Sequence, residues 1–371
     1  MKLTLSGLSA VRFLFPAALC LMLAACDYEI GKDESLLPIP TPTPTPIILS
    51  TNSSAADSSF SPANARAANA VQSLSTQVVA RNAELISKAT ATSVKEIAGV
   101  LDALARIQKA PLTATAELKT AEESFTAAKV AYQQAEAAVF YVDPDSAEEL
   151  IAQPDPLGVA TAGSEDLFAR WESLVASLGI REGEPITADK LSSLVVPFDE
   201  LKKTSEELAA ALESFAAAWR AGESKNFRSA FFASSPELAV ARIFQGLLAL
   251  TGDVMPARLA AADFGPEDFQ QRIAAAANIY FGISSGVDGA ADGSVGVHDL
   301  VYRDAPAQAL VTAAVLQRAK VLAASLRLNP ADTELTRQAG LTLADLTTQL
   351  ITSARSLGIV VIDHASDVEN R

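Results

Sequence analysis

Leu201, Leu208, Leu212, Phe215 and Trp219 follow one another at steps of seven, four, three and four, which places one apolar stripe along a helix. Gly222 is the expected terminator of that helix, since glycine takes the left-handed conformation that closes helices. Phe227–Phe232 reads as a short aromatic element. Ser235-Pro236 supplies an N-cap and a first-turn proline for a second helix, striped by Val240, Ile243, Phe244, Leu247 and Leu248 and expected to end near Gly252. The stretch 187–252 is therefore expected to be a helical hairpin, with the other helices packed around it.

The same periodicity extends over most of the chain. Ser61-Pro62 opens a helix carrying Val71, Leu74, Val78 and Leu85; Val94, Ile97, Leu101 and Leu104 mark a second helix or its continuation, and Pro111 breaks it. Leu118, Ala121, Phe125, Ala128, Tyr132, Ala135 and Val139 alternate steps of three and four, the seam of a bundle helix. Pro144, Pro154 and Pro156 make the next segment irregular. Ser164 is expected to start a shorter helix, with Glu165 and Asp166 in its first turn, Leu167, Trp171, Leu174 and Leu178 on its buried face, and Gly179 at its end. Later helices open at Gly265-Pro266, at Asp304 to Pro306, and at Asn329 to Asp332, with a Gly/Asp-rich loop over 282–296. Leu357-Gly358-Ile359 closes the last helix. Only 359–362 has any extended character, so the expected fold is all-α: a first helical bundle over 62–180, a second over 187–362, and a tail over 363–371.

The N-terminal segment has a different pattern. Lys2 and Arg12 precede an apolar run from Phe13 to Ala25, and Leu23-Ala24-Ala25-Cys26 has the form of a bacterial lipoprotein signal. Residues 1–25 are thus expected to be a signal peptide and Cys26 the lipidation site, where acyl chains such as palmitate would anchor the protein to a membrane facing the periplasm. Asp27 is a weak pointer to the inner membrane, so the inner and outer membranes both remain open. Residues 26–61 read as a tether, in which Pro38, Pro40, Pro42, Pro44 and Pro46 alternate with Thr or Ile and favour polyproline II. The other cysteine, Cys20, lies inside the signal, which leaves no thiol for a disulfide or a thiolate metal site.

Charge and composition narrow the function classes. Formal charge is −15, and removing residues 1–25, with their two bases and no acid, makes it more negative. Such a surface repels nucleic acid, so no nucleic-acid partner is expected. The 49% hydrophobic content with 6% aromatics reflects alanine-rich helices rather than a membrane protein.

In order and spacing, four segments resemble the imelysin-like family, which includes iron-regulated periplasmic lipoproteins and insulin-cleaving metalloproteinases. They are Trp219-Arg220-Ala221-Gly222, the helix Ile243 to Leu250, Gly296-Val297-His298-Asp299-Leu300-Val301, and Leu357-Gly358-Ile359. The resemblance implies two helical bundles with a site between them, and a link to iron acquisition through a periplasmic or outer-membrane partner. The family's Gly-x-His-x-x-Glu motif falls on Leu167-Phe168-Ala169-Arg170-Trp171-Glu172, where Leu167 stands for the glycine, Ala169 for the histidine, and Glu172 alone is kept. A methyl group cannot ligate a metal, so no catalytic residue is assigned.

Few other candidates stand out. His298 is expected in a loop able to reach a cleft between the bundles, with Asp299 beside it. Asp288, Asp292 and Asp299 partly match a calcium loop, though alanine fills its third position. His364, with Asp363 and Asp367, lies in the tail. Trp219 and Phe227–Phe232 read as core rather than as a ligand pocket. Three functions follow: a non-catalytic binding lipoprotein linked to iron acquisition; a metal-binding protein or metallopeptidase that holds iron or zinc on Glu172, His298 and nearby carboxylates; or a purely structural lipoprotein.

Overall fold

The computed structural model describes residues 62–110, 114–141, 166–180, 188–261, 265–283 and 295–360. The signal, Cys26 and the tether, Asp288, Asp292, and the tail with His364 fall outside these residues. Among the described residues there is no strand, and the protein is all-α.

The elements are α1 (Pro62–Lys109), α2 (Ala114–Ala135) with a 3-10 turn (Glu136–Phe140), α3 (Leu167–Leu178), α4 (Ala188–Trp219), α5 (Phe227–Ala233), α6 (Pro236–Leu248), a π turn (Ala249–Val254), α7 (Met255–Ala260), α8 (Pro266–Phe281), α9 (Val297–Asp304), α10 (Pro306–Leu328) and α11 (Thr333–Ser356). α1 packs along α2 and α4, with α3 against α4; α8, α9 and α11 gather around α10. Contacts of α1 with α6 and of α2 with α8 join the two groups. One core of buried side chains runs from Val78 on α1 to Ala354 on α11.

The expected stripes are buried. Leu201, Leu208, Leu212, Phe215 and Trp219 lose essentially all exposure, as do Val240, Ile243, Phe244 and Leu247 on α6. The Ser235 cap is as expected, its hydroxyl accepting from Leu238 N–H, and α11 is capped by Asp332, which accepts from Glu334 and Leu335 N–H. At the end of α11, Gly358 N–H donates to Arg355 O and Ile359 N–H to Ala354 O, the paired bonds of a Schellman motif.

Several expectations need correction. Instead of pairing closely with α6 as a hairpin, α4 packs mainly on α1 and α3, while α6 packs on α1, the 3-10 turn and α11. The chain does not stop near Gly252 but continues through the π turn into α7. Pro256 has no N–H for the carbonyl of residue 252, and the wider turn accommodates its ring. α3 starts at Leu167, with Asp166 as its N-cap rather than in its first turn. Asp304 ends α9, and α10 starts at Pro306 after Ala305. The two apolar runs on either side of residue 90, open as one helix or two, belong to the single helix α1, which is the continuation the sequence allowed.

Candidate functional site

α3 presents the expected motif, and its placement follows from its own sequence. One Asp166 oxygen accepts from Phe168 N–H (3.0 Å) and Ala169 N–H (3.3 Å); the other accepts from the Arg258 guanidinium on α7. One carboxylate thus starts the helix and ties it to the C-terminal group. Trp171 stacks on Phe125 of α2 at 3.7 Å between ring centres, and its Nε1 donates to Ser205 Oγ on α4 at 3.0 Å. With Phe168 and Trp171 buried in this way, Ala169 and Glu172 face a cavity bounded by α2, α3, α7 and α8.

The cavity holds about 50 Å³. The Lys129 ammonium from α2 donates to Glu172 Oε1 at 2.6 Å and lies 2.7 Å from Asp268 Oδ2 on α8. Burial alone would lower the Lys129 pKa, but the charges and hydrogen bonds of Asp268 and Glu172 outweigh it and raise the value. Deeper in, Arg272 grips Glu136 in a bidentate pair, Nε to Oε2 at 2.6 Å and the second bond at 3.1 Å, with Glu136 fully buried. Both ions need this geometry, because removing either would strand the other away from water. Gln133, 1% exposed, lines the same cavity, and neither its amide oxygen nor its nitrogen has a protein partner. The cavity therefore combines satisfied ion pairs with one buried amide free to donate and accept.

The site contains only part of the set read from sequence. Leu167 lies at the start of α3, half-buried against the core, Ala169 lines the cavity, and Glu172 is half-exposed at its rim. His298 is not in a loop but in the first turn of α9, where its ring stacks on Tyr302 and packs against Tyr280 and Phe281. Those aromatics sit at the far end of α8 from Asp268, about 18 Å along the helix at 1.5 Å per residue, so His298 and Glu172 are not brought together. The Asp299 carboxylate accepts from Gly296 N–H at 2.8 Å, which commits it to capping α9. The glycines of this segment serve a chain crossing: a Cβ on Gly296 would lie 2.3 Å from the Phe281 carbonyl carbon. Trp219, Phe227 and Phe231 form buried core. Among the described residues no three His, Cys, Asp or Glu side chains gather closely enough to hold a metal ion. At Glu172 the counter-charge is already supplied by Lys129, so these residues do not fit a metal.

Lys129, Asp268, Gln133 and the Glu136–Arg272 pair were missed by the sequence reading. Asp268 was visible only as a first-turn acid of α8, and its partner lies 139 positions away.

Fold and site together define an all-α protein with an ion-paired cavity between two groups of helices. Within that class, residues 187–357 match the imelysin family model (Peptidase M75), a span of somewhat under half of the chain. The match begins after α3, so Leu167–Glu172 lies outside it. No curated protein matches the chain.

Proposed function

We propose that this protein is an imelysin-like, lipid-anchored, periplasm-facing binding protein, connected with iron acquisition, that performs no hydrolysis. The observation that carries this reading is the Lys129 ammonium between Glu172 and Asp268. A metallopeptidase needs those carboxylates free to hold a cation and an open position for water. Here a resident cation neutralises them, and Ala169 stands where the family resemblance puts a histidine. A ligand suited to the cavity is small and polar, with a donor and an acceptor for the Gln133 amide. The connection with iron rests on the family resemblance, and the anchorage on Leu23-Ala24-Ala25-Cys26.

Elemental analysis after dialysis against ferrous iron or zinc, combined with an insulin-cleavage assay, tests the reading. The expected result is less than one metal per chain and no cleavage. Stoichiometric metal that disappears in Glu172→Ala, or cleavage that chelators stop, would overturn it.

A further inference from the structure

We propose that the outer face of α10 is a self-complementary docking surface, on which a second copy of this chain lies antiparallel. α10 is apolar enough to be a core helix, with a mean hydropathy of 1.4 over its most apolar window, yet only 39% of that window is buried. Its inner face carries Ala309, Thr312, Val315, Leu316, Ala319 and Ala323. Its outer face runs Ala307, Leu310, Ala314, Gln317, Val321, Ala324 and Leu328, alternating steps of three and four, which is the spacing of a helix–helix seam. On it Leu310 is 59%, Val321 57% and Leu328 74% exposed. Scattered exposed apolar side chains are ordinary, but a continuous row along about 34 Å of helix is a surface that a partner covers.

Side-chain size identifies the partner as another copy. A two-fold axis at Gln317 sets Leu310 opposite Ala324 and Leu328 near Ala307 of the other chain, with Ala314 near its Val321. Large residues then meet small ones at every level, and the seam's only polar residue meets itself at the axis, where two amides can exchange hydrogen bonds. α10 carries Arg318, Lys320 and Arg327 and no acid, but Arg318 pairs with Asp345 and Arg327 with Glu267, so side-chain size and not charge sets the orientation. Parallel pairing would set Leu310 against Leu310 and Ala314 against Ala314, large on large and small on small.

Sedimentation of the full chain in mild detergent, with and without Leu310→Glu, tests the proposal. The expected particle holds two polypeptides, and the substitution weakens association at least about tenfold by burying a carboxylate on each side of the axis. At concentrations low enough that both proteins are single chains, thermal unfolding should be unchanged, because position 310 is exposed there. As a second arm, Gln317→Cys in a Cys20→Ser/Cys26→Ser background places one thiol on the axis and should give a disulfide-linked dimer on mild oxidation, whereas Thr348→Cys on exposed α11 should not. A single-chain particle at high micromolar concentration overturns the proposal, as does a dimer indifferent to Leu310→Glu. Binding to anionic phosphatidylglycerol vesicles that Leu310→Glu abolishes would make the face a membrane contact, which also overturns it.

Discussion

One ammonium group decides what the cavity can do. Lys129 is mostly buried, and the carboxylates it joins come from helices far apart in sequence, Glu172 on α3 and Asp268 on α8. Lys129→Met should therefore lower stability by about 1–2 kcal/mol, less than for a fully enclosed pair because Glu172 is half-exposed to water. The sign with pH follows from the raised pKa. A group held above its unfolded value of 10.5 contributes fully below that value and loses its contribution as pH rises through the folded one. Urea unfolding of wild type and Lys129→Met should thus differ by a constant amount from pH 7 to 10, and the gap should close at higher pH. A gap that widens there would rule out this account. Glu172 was readable from the sequence because a motif points to it. Its partner was not, since a lysine beside an apolar seam looks like any solvated flank and only the tertiary fold brings Asp268 to it.

For the elements, local chemistry made boundaries legible and packing obscured continuity. Ser235, Asp332 and Gly358 cap as their residue types dictate. The sequence leaves α1 open as one helix or two, because large apolar residues are missing between Ile86 and Val94. There the buried positions include Thr90 and Ser93, whose hydroxyls bond back to Ile86 O and Thr90 O, so the helix continues on small and polar residues. Gly246 shows the same limit. It looks like an ordinary helix weakness, but α6 crosses the 3-10 turn so closely that a Cβ there would sit 2.3 Å from both Ala137 O and the Tyr141 ring. Gly246→Ala should cost about 3 kcal/mol through forced displacement of backbone. Gly340→Ala on α11 should do the opposite, gaining about 0.5–1 kcal/mol, because its Cβ would only touch Leu259 at 3.7 Å while alanine favours helix. Chemical denaturation of the two variants should show opposite signs; equal signs would mean that helix propensity alone governs both sites.

At the scale of the whole molecule, the folded part and the proposed anchor make different physical demands. The chain is strongly acidic, and removing residues 1–25 with Lys2 and Arg12 makes its formal charge −17 in place of −15. Anionic headgroups repel such a body, so charge by itself would drive the domain off a membrane. Under the proposed function, retention would then depend on acyl chains at Cys26. Cys26→Ser should move the protein from the membrane fraction to the soluble periplasmic fraction and abolish palmitate labelling. Its cavity chemistry and unfolding midpoint should not change, because no described helix includes that residue. High salt, which strips electrostatically bound proteins, should leave the unsubstituted protein on the membrane. Membrane retention of Cys26→Ser that salt reverses would mean that a basic surface holds the protein and lipid does not.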